Sequence, residues 1–187
     1  HGWALAAASW ANSWLGCWEQ AVEEAEEEMR IAREFSDDSM FSFGALILST
    51  AYTWKGDLAR AVEYGELAVQ KAPTPADKVW AQTWLAHAYC RAGEPTRGVE
   101  LLAELVPMYR ATGYLPGEIH TTVVLGEGYW LAGQYDKAKQ TLREVLELDE
   151  RCGFRFFRGR AYRVLGEIAL ETNPDKASAD FEQAIDV

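Results

Sequence analysis

Apolar positions in this chain recur at helical spacing, and nowhere do they alternate as a half-buried strand requires. Between Asp57 and Ala72 the apolar residues Leu58, Ala61, Val62, Leu67, Ala68 and Val69 recur near helical spacing, and Pro73 closes the stretch. The preceding stretch ends in Lys55-Gly56-Asp57, and a similar one ends in Ala132-Gly133-Gln134. A glycine followed by a polar residue is a helix stop, because glycine takes the left-handed C-cap without a Cβ penalty. The pattern therefore predicts an all-α chain of helix–turn–helix units.

The units repeat. Gly16, Gly56, Gly93 and Gly133 are spaced by 40, 37 and 40 residues, and their flanks repeat with them. Eight residues before each glycine stand Ala8, Leu48, Leu85 and Leu125, and seven before stand the small residues Ser9, Ser49, Ala86 and Gly126. Four before come Asn12, Tyr52, Tyr89 and Tyr129; five after come Ala21, Ala61, Gly98 and Ala138. A large side chain on one helix thus meets a small one on the next, so the helices approach closely. A fifth unit begins near Phe157, with Asn173-Pro174-Asp175 in place of the glycine turn and Ala177, Phe181 and Ala184 on its second helix. The expected units are 1–36, 37–75, 76–112, 113–152 and 153–187, together one repeat domain.

Composition narrows the class. With 187 residues, 49% apolar and 25% charged, the chain can bury a core and is neither collagen-like nor low-complexity. Its formal charge of -11 argues against sequence-independent binding to nucleic acid or to an anionic membrane, which both require positive fields, and favours a neutral or locally basic partner. No apolar run approaches the roughly 20 residues of a membrane span. Cys17, Cys90 and Cys152 are too scattered for a disulfide framework or a zinc site, which fits a cytoplasmic protein with no metal and no cofactor. The chain opens at His1-Gly2-Trp3 and stops within an amphipathic pattern at Phe181 to Val187, which reads as a piece of something longer.

The phrase Leu125-Gly126-x-x-Tyr129-x-x-x-Gly133-x-Tyr135-x-x-Ala138 resembles the tetratricopeptide repeat family, and the resemblance extends over essentially the whole chain. It implies a right-handed superhelical solenoid of antiparallel helix pairs, with the first helix of each pair on a concave face. These repeats exceed the usual length of about 34 residues. Together with Leu165-Gly166-Glu167-Ile168-Ala169-Leu170 that length resembles the repeat regions of MalT-type regulators and of signalling ATPases linked to adenylate cyclases.

On that frame the inward positions hold Trp10, Thr50, His87 and Glu127, then Trp14, Trp54, Arg91 and Trp130, with Trp3, Phe43, Trp80 and His120 near the helix starts and Trp84 one turn further on. Seven of the eight tryptophans fall on first helices, which points to an occupied groove, since an indole left in water is costly and binding sites are enriched in it. Packing between repeats competes with that role, evenly for Trp14 and Trp84 and less strongly for Trp10, Trp54, Trp80 and Trp130. Arg160 and Arg163 share a helix face within the cluster Arg151, Arg155, Arg158, Arg160 and Arg163 and could hold a carboxylate or phosphate, although pairing with Glu167 and Glu171 is the plainer expectation. The run Glu19, Glu23, Glu24, Glu26, Glu27 and Glu28 reads as a solvated outer wall.

No H-E-x-x-H, G-x-S-x-G, Walker or G-x-G-x-x-G motif occurs, and His87 and His120 are the only internal histidines, so no catalytic residue is expected. The sequence therefore predicts a noncatalytic scaffold that holds a protein or peptide in a tryptophan-rich groove. The alternative is a regulatory domain of a MalT-like regulator or cyclase-linked ATPase, in which a small ligand stacks on the same rings.

Overall fold

The computed structural model describes residues 2–153, 155–172 and 174–186, with the side chains of 174–176 left aside. Among them are ten helices and no strand: α1 (Gly2–Trp14), α2 (Trp18–Phe35), α3 (Asp38–Lys55), α4 (Leu58–Lys71), α5 (Pro75–Arg91), α6 (Pro95–Thr112), α7 (Leu115–Leu131), α8 (Tyr135–Cys152), α9 (Arg158–Thr172) and α10 (Pro174–Ile185). Successive helices pack as antiparallel pairs, as the repeat pattern predicts. The expected turn at Asn173 lies outside the described residues.

Turn chemistry sets the helix ends. Gly16, Gly56, Gly93 and Gly133 all adopt φ between 71° and 88°, the left-handed region that costs an L residue about 1–2 kcal/mol. At Gly56 the chain turns straight into a new N-cap: the Asp57 carboxylate accepts from the Arg60 backbone N–H. Asp37 caps α3 and Thr74 caps α5 in the same way, the latter followed by Pro75, whose fixed φ suits a first turn.

The chain divides into two compact units, His1–Glu94 and Pro95–Val187. In the first unit α1, α3 and α5 form one row, each packed on the next, while α2 packs against α1 and α3 and α4 against α3 and α5. Its core gathers Ala25, Met29, Leu46, Ile47, Leu48, Tyr52, Ala61 and Ala68 around Trp84. Small residues permit the close crossings. A Cβ on Gly44 would stand 2.8 Å from Met29 and 3.2 Å from the Ala25 carbonyl oxygen, and one on Gly65 would stand 2.9 Å from Leu85. In place of apolar packing alone, the Ser42 and Ser49 hydroxyls cross to α4 and donate to the Ala68 and Ala61 carbonyl oxygens at 2.9 and 2.7 Å.

In the second unit α7 packs against α6, α8 and α9, and α9 packs against α8 and α10. Gly126 sits over Leu142, where a Cβ would meet two side-chain carbons at 2.7 Å, and Gly166 sits over Phe181 in the same manner. Gly126 is one of the small residues at which the repeat alignment predicts a close helix approach.

Candidate functional site

Unit 1 brings together side chains from three helices that the sequence scatters over eighty residues. Trp10 of α1 lies 5.9 Å from Phe43 of α3 and 6.1 and 5.5 Å from Trp80 and Trp84 of α5, ring centre to ring centre. Trp14 joins from the same helix, 5.6 Å from Trp10 and 5.8 Å from Trp84, and Trp3 meets Phe43 at 6.3 Å. Most of these pairs are edge-to-face or tilted, the arrangement that aromatic quadrupoles prefer. The rings of α1 and α5 thus touch each other beside α3.

The cluster is graded in depth. Trp84 is 1% exposed and forms its floor; Trp10, Trp14, Phe43 and Trp80 are half-buried, and Trp3 at the end of α1 is 55% exposed. His87 extends the floor, buried between Trp54 at 5.3 Å and Trp84 at 6.3 Å. Thr50 is buried too, its hydroxyl donating to the Leu46 carbonyl oxygen within α3. Of the expected groove residues in this unit, Trp84, His87 and Thr50 therefore support the face from beneath, and Trp10, Trp14, Phe43, Trp54 and Trp80 reach it. For Trp84 the inter-repeat packing role is the one realised in this structure.

Unit 2 places the remaining candidates in a different setting. Glu127 of α7 is fully buried, and the Arg160 guanidinium of α9 donates from Nε and Nη2 to one of its oxygens at 2.8 and 2.6 Å. Arg163 approaches the other oxygen at 3.5 Å and lies 3.8 Å from Glu167. The two arginines thus meet an acid of the neighbouring first helix, and Glu171 goes elsewhere: it accepts from the Trp130 indole N–H at 3.3 Å and from the Tyr135 hydroxyl. Arg158 donates to the buried Asp149 at 2.8 Å. The arginines of α9 divide between two acids: Arg160 and Arg163, three residues apart on one face, both meet Glu127, while Arg158 leaves the helix in another direction and meets Asp149.

One buried acid stands apart. Glu28, inside the acidic run of α2, is fully buried and makes no ion pair among the described residues. Burial pushes its carboxyl up to about 8, the Ser9 hydroxyl beside it pulling down and Asp37 adding to the rise. Sequence reading assigned Glu28 to the solvated wall with its neighbours. The signal was there in its spacing, since Glu28 falls on the stripe Ala21, Ala25, Glu28, Ala32. Among the described residues no group of His, Cys, Asp and Glu could hold a metal ion, and no helix is long and apolar enough to cross a membrane.

Residues 77–151 match the tetratricopeptide repeat family model. Over that stretch the chain is similar to tetratricopeptide repeats. The repeat fold recurs in solved structures across nearly the full length. TPR-like repeats of a Podosopora anserina kinesin light chain share 21% identity at a TM-score of 0.67, covering 97% of this chain and 91% of that one. Bacillus thuringiensis PlcR, solved with the peptide PapR7 and DNA, reaches a TM-score of 0.75 at 12% identity over 96% of this chain and 68% of its own. BtubC from P. vanneervenii gives 0.65 at 18% identity, with 89% and 72% covered. At these identities the repeat likeness is one of fold. No curated protein matches the chain.

Proposed function

We propose that the chain is a noncatalytic scaffold whose aromatic face on α1, α3 and α5 takes an extended peptide segment of a protein partner. The observation that carries this reading is the graded cluster itself: a floor of Trp84 and His87, half-buried Trp10, Trp14, Phe43 and Trp80 above it, and Trp3 exposed at its edge. Rigid indoles bury a large area at small entropic cost, which is why peptide and protein sites concentrate on them. PlcR lends support, being a protein of similar fold solved with a bound peptide. Two of the residues that could serve as catalysts are engaged in packing: Glu127 is paired with arginines and His87 stacks with indoles.

A random nonapeptide library selected on the immobilised full chain tests the reading. Recovered peptides should bind in calorimetry, and Trp10→Leu and Trp80→Leu should each weaken them by about 1–3 kcal/mol. Phe35→Ser, on the exposed end of α2, should leave binding unchanged. Recovery that is indifferent to both tryptophan substitutions would place the binding surface elsewhere and end this proposal.

A further inference from the structure

Unit 1 is acidic as a whole, most of its acids lying on α2 and α4, while α1, α3 and α5, which carry the aromatic face, hold few charges. Residues 1–94 hold fourteen Asp and Glu against seven Lys and Arg, a formal charge of -7. Yet α1 has no charged side chain, and α3 has only Asp38 and Lys55, one at each end. On α5 the stripe that bears Trp80 and Trp84 begins at Asp77, three residues before Trp80 and therefore on the same face, and ends at Arg91, seven residues beyond Trp84. Much of the unit's own positive charge is bound by neighbouring acids: Arg30 by Glu27 and Glu34, Lys55 by Glu19, and Arg60 by Asp57.

Aromatic rings attract cations electrostatically through their faces, and indole does so best. This unit already uses that chemistry internally, with the Arg33 guanidinium 4.8 Å from the Phe41 ring centre and that of Arg60 4.3 Å from Tyr52. A face of indoles inside an acidic field therefore selects by charge in two ways. The field raises the encounter rate of a positive segment and repels a negative one, and the rings then hold a cation at short range.

We infer that the segment received by this face is basic: apolar anchors interspersed with lysine or arginine, the anchors on Trp10, Phe43 and Trp80 and a cation toward Asp77. The inference rests on the peptide reading of the same face and adds the chemistry of the partner. An acidic or uncharged segment is excluded by it.

The sequences recovered from the nonapeptide selection test it directly. The enriched set should carry net positive charge, and replacing the Lys and Arg of one selected peptide by Gln should weaken binding about tenfold at 50 mM salt and far less at 500 mM. Asp77→Asn, checked by its melting curve to retain the fold, should reduce the preference for the basic form over its Gln counterpart severalfold while leaving the affinity of the Gln form unchanged. An enriched set that is neutral or acidic, with binding still lost in Trp10→Leu, would overturn the charge inference and leave the aromatic site standing. Failure to enrich any peptide, or enrichment that survives Trp10→Leu and Trp80→Leu, would overturn both.

Discussion

The first helices of the two units are joined by opposite chemistries. In unit 1 the link between α1, α3 and α5 is aromatic, with Trp10 in contact with Phe43, Trp80 and Trp84. In unit 2 the link between α7 and α9 is ionic, with the buried Glu127 held by Arg160 and approached by Arg163. One repeat architecture accepts both, because it fixes where inward positions lie and leaves their chemistry open. The consequence differs sharply. An aromatic seam keeps polarizable surface that a ligand can share, whereas a satisfied ion pair has already committed its hydrogen-bonding capacity and releases it only at a large desolvation cost.

The sharpest way to break this contrast is to remove one member of each seam. Glu127→Ala should destabilise the chain by about 3–5 kcal/mol, since it strands the Arg160 guanidinium, whose side chain is 9% exposed, without its acid. The double replacement Glu127→Leu with Arg160→Met should recover most of that loss, as read from chemical denaturation; a double variant no better than the single would show that the pair does more than compensate itself. Trp84→Ala should cost a similar 3–5 kcal/mol through the cavity it leaves, and no charge reversal elsewhere should rescue it.

A pH titration of stability separates the units next. The Glu28 carboxyl is raised in the folded chain from the usual 4.5 to about 8, so the folded state holds this proton more tightly than the unfolded state. Its stabilising contribution is complete below pH 4.5 and is lost as the pH rises through about 8, a decline on the order of 5 kcal/mol. Glu28→Gln should flatten that slope between pH 5 and 8, while Glu127→Gln should leave it in place. A wild-type denaturation midpoint that stays level over that range would contradict the burial argument.

Smaller effects refine the packing side. Gly126→Leu should cost about 1–3 kcal/mol, because the added Cβ alone would lie 2.7 Å from Leu142. Gly126→Ala should cost less, because only that first atom must be accommodated, and an unchanged melting temperature for both would mean that α7 and α8 tolerate more separation than their contact suggests. At the bottom of the scale, Arg30→Ala should leave the melting temperature unchanged within error: its bridges to Glu27 and Glu34 are solvent-exposed and compete with water.

Sequence alone determined the helix pairs. Gly16, Gly56, Gly93 and Gly133 are local signals, since a left-handed residue is selected by backbone sterics without help from distant parts of the chain, and the periodic apolar stripes between them fix which face of each helix turns inward. The close approach at Gly126 was legible for the same reason, since a small residue stands seven before each turn glycine, although the side chain that meets it, Leu142, was not. Depth and partnership were decided by the tertiary structure. Trp80 and Trp84 both face inward by spacing, yet one is half-buried and the other is sealed, because Trp10 and Trp14 arrive from a helix some seventy residues away to cover the latter. Glu28 shares the small-residue stripe of α2 by its spacing, but its burial is decided by α1 and α3, which close over it. Arg160 likewise shows its positive charge in the sequence, while its acid, Glu127, is 33 residues distant and is brought into reach only by the packing of α7 on α9. Periodicity fixes the direction a side chain takes from its own helix; what it meets there depends on long-range packing, which no local pattern encodes.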